Sequence, residues 1–257
     1  IHLADYAGWF TAGNGILSIG QIIRGDFDDL LERQREAETI LRKFIHEEDI
    51  DAFPVVVVDE NLHAALQGLL QCHGLGGLRP NTLLLGWSKD PEKSEVFSGI
   101  LDIARRMRRS IIVVASKQQE ERTRILDGAI NIWWTHDRNG ALMLLLAYLL
   151  KKNHEWRTRP IRILRPMPPK ADIHNVAQEM QAMLADARIE ADLVIMPAES
   201  PLEAIREAMQ PSAVLFAGFD PPGDDPDAVP LSFLQQTVDL PGDILLVYNA
   251  GDVSLQA

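Results

Sequence analysis

Residues 74–87 read GLGGLRPNTLLLGW and set a glycine-rich turn directly before an apolar run. A dinucleotide-binding fingerprint would need Gly-x-Gly-x-x-Gly after a strand and at the start of a helix. Here Arg79 takes the last position, and the preceding residues, 61–72, have a helical pattern. The stretch therefore predicts a helix that ends in a glycine turn, with Pro80 leading into a strand at Leu83, rather than a phosphate-binding loop.

Short apolar runs recur along the whole chain and are separated by segments of helical periodicity. The runs are continuous rather than alternating, which is typical of strands covered on both faces, as in parallel sheets. The nine runs are 16–19, 55–58, 83–85, 111–114, 130–134, 161–164, 193–196, 213–216 and 244–248. Strands that alternate with helices predict an α/β fold of two doubly wound, mainly parallel-sheet subdomains.

A polar stretch at 117–124 lacks apolar periodicity and divides the nine runs into four and five. The predicted domains are therefore a first α/β subdomain at 1–118 and a second at 119–257. We expect each of them to form a sheet of its own. Residues 218–230 contain four prolines and four aspartates, which predicts a surface loop.

Composition narrows the classes of partner. The 257 residues include 25 Lys and Arg against 37 Asp and Glu, a net charge of −12, which disfavours nucleic acid as the main partner. The single cysteine, Cys72, excludes an internal disulfide framework. The longest apolar run, 141–150, is shorter than the roughly 20 residues that cross a bilayer, and no secretory signal is visible. This run predicts a buried helix.

Nucleotide-hydrolysing and metal motifs are incomplete. Residues 15–20 have the glycine spacing of a P-loop but lack its lysine and hydroxyl residue. His46 and His154 each begin a His-Glu-x-x-His pattern that lacks its second histidine, and Cys72 with His73 is an isolated pair.

Hydrolase motifs are also missing. No Gly-x-Ser-x-Gly elbow occurs, and His136 with Asp137 has no identifiable nucleophile, so a hydrogen-bonded turn is the preferred interpretation there. We predict no enzymatic activity, no catalytic residue, no metal site and no resident cofactor. Binding of ATP or AMP without hydrolysis stays open, because crevices at the carboxyl ends of strands bind adenine nucleotides without a signature.

Two clusters could serve either the fold or an interface. Successive strand residues point to opposite faces, so Trp133 and Trp134 should enter the core on both sides of a sheet, with an interface role as the second choice. A basic run closes a helix and is either a solvated helix end or a surface for a partner or anionic lipid. This candidate interface comprises Arg105, Arg106, Arg108 and Arg109.

Residues 74–87 resemble a segment of the cytosolic C-terminal domain of cation–chloride cotransporters, where Gly-Leu-Gly-(Gly or Arg)-(Leu or Met)-x-x-Asn-Thr precedes an apolar strand and an aromatic residue. Residues 130–140 resemble that family's second signature, in which an Ile-Asp-x-Trp-Trp strand leads through a turn to a leucine-rich helix. Asn131 replaces a common aspartate, and Arg138-Asn139 replaces a turn that usually carries glycine. The matching positions, expected to be structural, are Gly74, Gly76, Gly77, Pro80, Asn81, Thr82, Gly86, Trp87, Trp133, Trp134, Asp137 and Gly140.

The resemblance, to a prokaryote-like form, implies a regulatory and dimerisation domain at the cytoplasmic face of the membrane. It implies two subdomains similar to universal stress proteins, joined to a twelve-helix membrane domain that couples chloride to potassium, sodium or both. Its partners would be that membrane domain and a second copy. Family members begin this domain with a strand that would lie before residue 1, and the phosphorylatable insertion of animal members is absent.

The alternative is a free-standing tandem protein similar to universal stress proteins, which would bind adenine nucleotides. Its expected Gly-x-x-Gly motif with a later Gly-Ser or Gly-Thr should follow a late strand, but residues 217–223 lead into an acidic stretch. A hydrolase would have only His136 and Asp137 to support it.

Overall fold

The computed structural model describes most of the chain. The described residues are 2–11, 13, 15–74, 78–88, 90, 94–116, 128–168, 172–197, 205–206, 212–221, 242–251 and 253. Three predictions therefore fall outside them: those for Gly76 and Gly77, for the polar stretch 117–124, and for most of the loop at 218–230.

Helices and strands alternate from α1 to β4 and from β5 to β7 in the described part of the chain, and each of the nine runs lies on a strand or extends one residue beyond it. The helices are α1 His2–Thr11, α2 Phe27–Glu47, α3 Leu62–Cys72, α4 Ser94–Arg106, α5 Asp137–Lys152 and α6 Ile173–Ala187. The strands are β1 Leu17–Arg24, β2 Ala52–Asp59, β3 Thr82–Gly86, β4 Ser110–Ala115, β5 Ala129–Trp133, β6 Ile161–Met167, β7 Asp192–Pro197, β8 Ser212–Gly218 and β9 Asp243–Tyr248. No described helix has the length and apolar character needed to cross a membrane.

The strands form two sheets. β1 pairs with β2, and the other seven run in the order β3-β4-β9-β8-β5-β6-β7, with every neighbouring pair parallel except β4 and β9. The α/β class and the mainly parallel sheet are thus confirmed. The expectation that each half forms its own sheet is wrong, because β4 pairs with β9 in antiparallel register and joins the halves. The boundary at 118/119 stays a prediction.

The turn that opened the sequence analysis links α3 to β3. Asn61 caps α3 by accepting hydrogen bonds from the backbone N–H groups of His63 and Ala64 at 2.9 and 3.2 Å. Beyond the end of the helix, a Cβ on Gly74 would lie 2.4 Å from the Leu78 carbonyl oxygen, so this position requires glycine. The helix–turn–strand interpretation of this stretch is therefore confirmed at its described residues.

Two apolar clusters cover the two faces of the large sheet. Trp134 lies in the cluster that contains α5, and Trp133 lies in the opposite cluster with Leu101 of α4. Both tryptophans are core residues, 3% and 1% exposed for Trp133 and Trp134, as successive strand positions predict. The second choice, an interface role for the pair, is wrong because neither indole reaches the surface.

Helix α1 packs against the second half of the chain. Its aromatic residues Tyr6 and Trp9 contact the Trp156 ring at centroid distances of 6.3 and 5.3 Å. The buried Tyr6 hydroxyl donates to the Asp243 carboxylate at 2.9 Å, and the Asn153 amide donates to the Trp9 carbonyl at 3.1 Å. The first helix of the chain is thus part of the core around α5.

Candidate functional site at the carboxyl ends of β5 and β8

The strand order β7-β6-β5-β8-β9 has a topological switch point between β5 and β8. β6 follows β5 on one side of this point and β9 follows β8 on the other, and in doubly wound sheets a crevice lies at the carboxyl ends of the strands at such a reversal. Ligands of doubly wound folds bind in this crevice. It is therefore the first place to look for a site in this chain.

The start of α5 forms one wall of the crevice. Trp134 donates from its indole Nε1 to the Asp137 carboxylate at 3.0 Å, which fixes the turn between β5 and α5. A Cβ on Gly140 would lie 2.3 Å from the Trp134 ring, so the first turn of the helix sits directly on the indole. Three positions of the family motif, Trp134, Asp137 and Gly140, are thus brought together, and each has a structural contact.

Asn139 fills the floor of the crevice. Its side chain is buried, donates to the Phe219 carbonyl at 3.1 Å and accepts from the Asn249 backbone N–H at 2.9 Å. A Cβ on Gly218 would lie 2.9 Å from the Asn139 Cβ. The close approach of β8 to α5 at this point leaves no space between Gly218 and Asn139 for a ligand atom.

A second buried asparagine, Asn249, directly follows β9 and completes the hydrogen-bond network around Asn139. Asn249 is fully buried, and its amide donates to the carbonyls of Arg138 and Val253 at 2.7 and 3.0 Å. Its side-chain oxygen accepts from the Gly251 N–H at 3.0 Å. Every polar atom of this side chain therefore bonds to the protein itself.

An ion pair spans the mouth of the crevice. The Arg138 guanidinium pairs with the Asp220 carboxylate and stacks on the Tyr248 ring, 5.2 Å from its centroid. The Arg138 side chain is 51% exposed and that of Asp220 is 15% exposed, so the pair lies between solvent and the asparagine network. His136 precedes α5 without a side-chain capping bond. The chemistry that this arrangement offers is hydrogen bonding and charge pairing within the chain.

The other predicted positions lie apart from the crevice. The Asn81 carbonyl accepts from the Ser110 N–H at 2.9 Å, Thr82 begins β3, and Gly86 ends it. Trp87 packs edge-on against Phe97 of α4. β4, β9 and β8 separate β3 from β5, so the two family signatures stabilise different parts of the sheet.

The candidate interface lies at the end of α4. Arg105 and Arg106 share the Asp102 carboxylate at 2.9 and 3.7 Å, and Arg108 is exposed with a left-handed backbone at φ 54°. The Ala250 N–H donates to the Ser110 hydroxyl at 3.1 Å, which places the basic end of α4 beside the end of β9. Across the described residues, no three His, Cys, Asp or Glu side chains are grouped as metal ligands.

Comparisons with known proteins give a match to a family model and several solved structures of similar fold. The chain matches the family model of solute carrier family 12 over residues 1–114 and again over residues 102–211. Its fold is similar to the cytoplasmic domain of a prokaryotic cation chloride cotransporter, with a TM-score of 0.64 at 18% identity over 93% of this chain and 87% of that one.

The same fold occurs in stress proteins. A universal stress protein from Archaeoglobus fulgidus DSM 4304 matches with a TM-score of 0.58 at 15% identity, over 97% of this chain and 92% of that one. A putative universal stress protein from Pseudomonas aeruginosa UCBPP-PA14 matches with a TM-score of 0.53 at 14% identity, over 92% and 84%.

Proposed function

Since this chain belongs to solute carrier family 12, we propose that it is the cytoplasmic C-terminal regulatory and dimerisation domain of a membrane cation–chloride cotransporter. The observation that carries the proposal is the extent of the family match, which runs from residue 1 to residue 211 of the 257. The fold supports it through its likeness to the cytoplasmic domain of such a transporter. The domain lies at the cytoplasmic face of the membrane, and its first partner is the membrane domain of the same polypeptide.

We further propose that the domain has no chemistry and no resident cofactor of its own. The crevice at the switch point supports this, because Asn139 and Asn249 fill it and Arg138 with Asp220 spans its mouth. The transporter's substrates, chloride with potassium, sodium or both, would then cross through the membrane domain. This domain would contribute control and assembly.

The likeness to universal stress proteins favours a second candidate, a nucleotide-binding protein. A nucleotide entering at the switch point would have to break the Arg138–Asp220 pair and displace the Asn139 side chain. Calorimetry with ATP and with AMP separates the candidates. We expect that neither nucleotide gives a saturable heat of binding. A measured Kd below about 100 μM for either nucleotide would favour the nucleotide-binding candidate.

The proposed dimer uses the exposed basic end of α4 rather than the tryptophans, which are buried. Arg106 and Arg108 are exposed there in a chain of net charge −12, so they offer a local site for acidic groups of a second copy or of the membrane domain. Two copies at this charge repel at long range, so the isolated domain should associate more strongly as salt screens the repulsion. Attachment to a shared membrane would raise the effective concentration.

Two measurements test this function. Sedimentation of residues 1–257 at several concentrations and salt levels gives the association constant, and we expect Arg106→Glu with Arg108→Glu to weaken it about tenfold or more, about 1.4 kcal/mol. The matched control, Arg33→Glu with Arg157→Glu, changes the net charge equally at other exposed positions. Ion flux by the full-length transporter with and without this domain completes the test. A monomeric domain whose deletion leaves flux and pairing unchanged would refute the proposal.

A further inference from the structure

Two arginines at the end of α4 carry hydrogen-bond donors that the described part of the chain does not use. Arg105 and Arg109 are partly buried, whereas Arg106 and Arg108 are exposed. The Nε–H groups of Arg105 and Arg109 are shielded from solvent, and neither has an acceptor among the described residues. Native proteins rarely leave a buried charged donor unpaired, because it has lost its bonds to water without gaining others. The two side chains therefore suit an acceptor that comes from outside the chain.

The backbone fixes the spacing of these two arginines. α4 ends in a Schellman turn, in which the Arg109 N–H donates to the Ala104 carbonyl and the Arg108 N–H donates to the Arg105 carbonyl, both at 2.9 Å. Arg108 takes the left-handed position of this turn, with φ 54°. Because main-chain bonds close the turn, the positions from which Arg105 and Arg109 extend are set before any ligand arrives.

The strand register places Arg109 beside Tyr248. Ile111 of β4 pairs with Tyr248 of β9, and both belong to the apolar cluster on the α4 face of the sheet. The Ala250 N–H donates to the Ser110 hydroxyl at 3.1 Å, so the two segments stay together beyond this pair. Because alternate strand residues share a face, Arg109 extends from the same face as Ile111 and lies one diagonal step from Tyr248.

Positive charge is in excess at the end of α4. Arg105 and Arg106 share one carboxylate, that of Asp102, at 2.9 and 3.7 Å. No carboxylate of the described residues forms an ion pair with Arg108 or Arg109. The last carbonyls of α4 add only about half a negative charge. Four guanidinium groups therefore face one carboxylate, a surplus that favours an anion of more than one charge.

A neutral ion pair borders this basic helix end. The Arg138 guanidinium stacks on the Tyr248 ring, 5.2 Å from its centroid, and pairs with the Asp220 carboxylate. The two charges of this pair offset each other, so Asp220 does not cancel the surplus at α4. The net positive charge belongs to α4 and to the turn that follows it.

We propose that Arg105 and Arg109 form a binding site for a phosphate monoester group. Such a group carries nearly two negative charges at neutral pH and offers three acceptor oxygens. A guanidinium group matches these oxygens with pairs of parallel N–H donors. The site is separate from the dimer contact proposed above, which uses the exposed Arg106 and Arg108, and it does not depend on the transporter function.

Titration with inorganic phosphate, followed by NMR at the arginine Nε–H groups, tests the site directly. Residues 1–257 are titrated at neutral pH while phosphate replaces chloride, so that the ionic strength stays constant. The Nε–H signals of Arg105 and Arg109 should shift together and saturate, with a Kd of about 1 mM or tighter.

Three variants show whether the two guanidinium groups cause the binding. Arg109→Gln should weaken phosphate binding about tenfold or more, because a charge-assisted bond is lost. Arg109→Lys keeps the charge but loses the paired donors, so it should also weaken binding, and it replaces the glutamine variant if that variant does not fold. Arg157→Gln is the matched control, because it removes one charge at an exposed position. This control should change the Kd by less than about twofold.

Vesicles distinguish a lipid headgroup from a free phosphate compound. Phosphatidylcholine vesicles with phosphatidic acid present a phosphate monoester, whereas those with phosphatidylserine present negative charge without one. Preference for phosphatidic acid that Arg109→Gln abolishes indicates a headgroup, and phosphate binding without vesicle binding indicates a free compound. The absence of a saturable shift, or equal weakening by Arg157→Gln, would overturn the proposal. So would vesicle binding without phosphate binding, since a general basic surface would explain it.

Discussion

Removal of the Asn139 side chain should destabilise the protein far more than removal of an exposed asparagine. Asn139→Ala leaves the Phe219 carbonyl without its donor and the buried Asn249 N–H without its acceptor. A buried polar group that loses its partner costs about 1–3 kcal/mol, so the two together predict a loss of about 2–6 kcal/mol. The alanine Cβ keeps its contact with Gly218, so the cavity contribution should be small.

Urea unfolding at about 25 °C measures this loss through the transition midpoint at unchanged m-value. Asn175→Ala is the matched control, since Asn175 is exposed and its side-chain amide donates to the exposed Glu179 carboxylate one turn along α6 at 2.8 Å. We expect it to change the free energy of unfolding by about 0.5 kcal/mol or less. Asn139→Asp is a second test, because the carboxylate keeps an acceptor for Asn249 but places an oxygen against the Phe219 carbonyl.

A loss below about 1 kcal/mol for Asn139→Ala would refute the reasoning, because a network of that strength could not hold the crevice closed. A large loss in the Asn175→Ala control would also refute it, since the effect would then not depend on burial. If Asn139→Ala folds and binds ATP while the wild-type chain does not, the side chain is what keeps the crevice occupied.

Two further predictions concern α5 and α1. Gly140→Ala should destabilise the protein by about 2 kcal/mol or more, because the new Cβ would meet the Trp134 ring. Gly68→Ala, which has open space around it on α3, should instead stabilise the protein by about 0.5–1 kcal/mol. Thermal unfolding compares the two variants, and equal shifts in the midpoint would contradict the contact between Gly140 and Trp134. Burial and the Asp243 carboxylate raise the pKa of the Tyr6 phenol, so the unfolded chain releases that proton near pH 10 while the folded chain retains it. The free energy of unfolding should therefore fall as the pH rises above about 10. Tyr6→Phe should lower the stability at neutral pH but remove the part of this fall that Tyr6 causes. Urea midpoints of both proteins at about pH 9 and 11 test the prediction, and the same pH dependence in both would contradict it.

The strands and most helices could be predicted because the local spacing of apolar residues reflects which faces of each element are buried. Each of the nine apolar runs identified a strand, and the runs at β4 and β5 identified strands that are buried at every position, as a strand covered on both faces should be. Helix α1 was missed, although Leu3, Tyr6, Trp9 and Phe10 have helical spacing and all pack on the core. The segment is only ten residues long, so its helical period is repeated too few times to stand out.

Sheet continuity could not be predicted from the sequence, because pairing between strand edges leaves no local signature. β4 and β9 are both ordinary apolar runs, yet their antiparallel pairing joins the halves. The same limit applies to the crevice. Asn139 and Asn249 lie 110 positions apart, and Arg138 and Asp220 lie 82 apart. The sequence did mark the stretch 134–140, through the family signature and the pair His136 and Asp137, but it gave no sign of the partners at 220 and 249.

The position of α1 means that the division of the sequence into halves is not a division of the core. By sequence α1 belongs to the first half, but the Tyr6–Asp243 bond and the Trp9–Trp156 contact tie it to α5 and β9. It also contacts β1 of the two-stranded sheet and β3 of the large sheet. A displacement of the two-stranded sheet would therefore reach β9 through one helix and the Tyr6–Asp243 hydrogen bond, so α1 couples the two sheets although no strand pairing joins them in the described part of the chain.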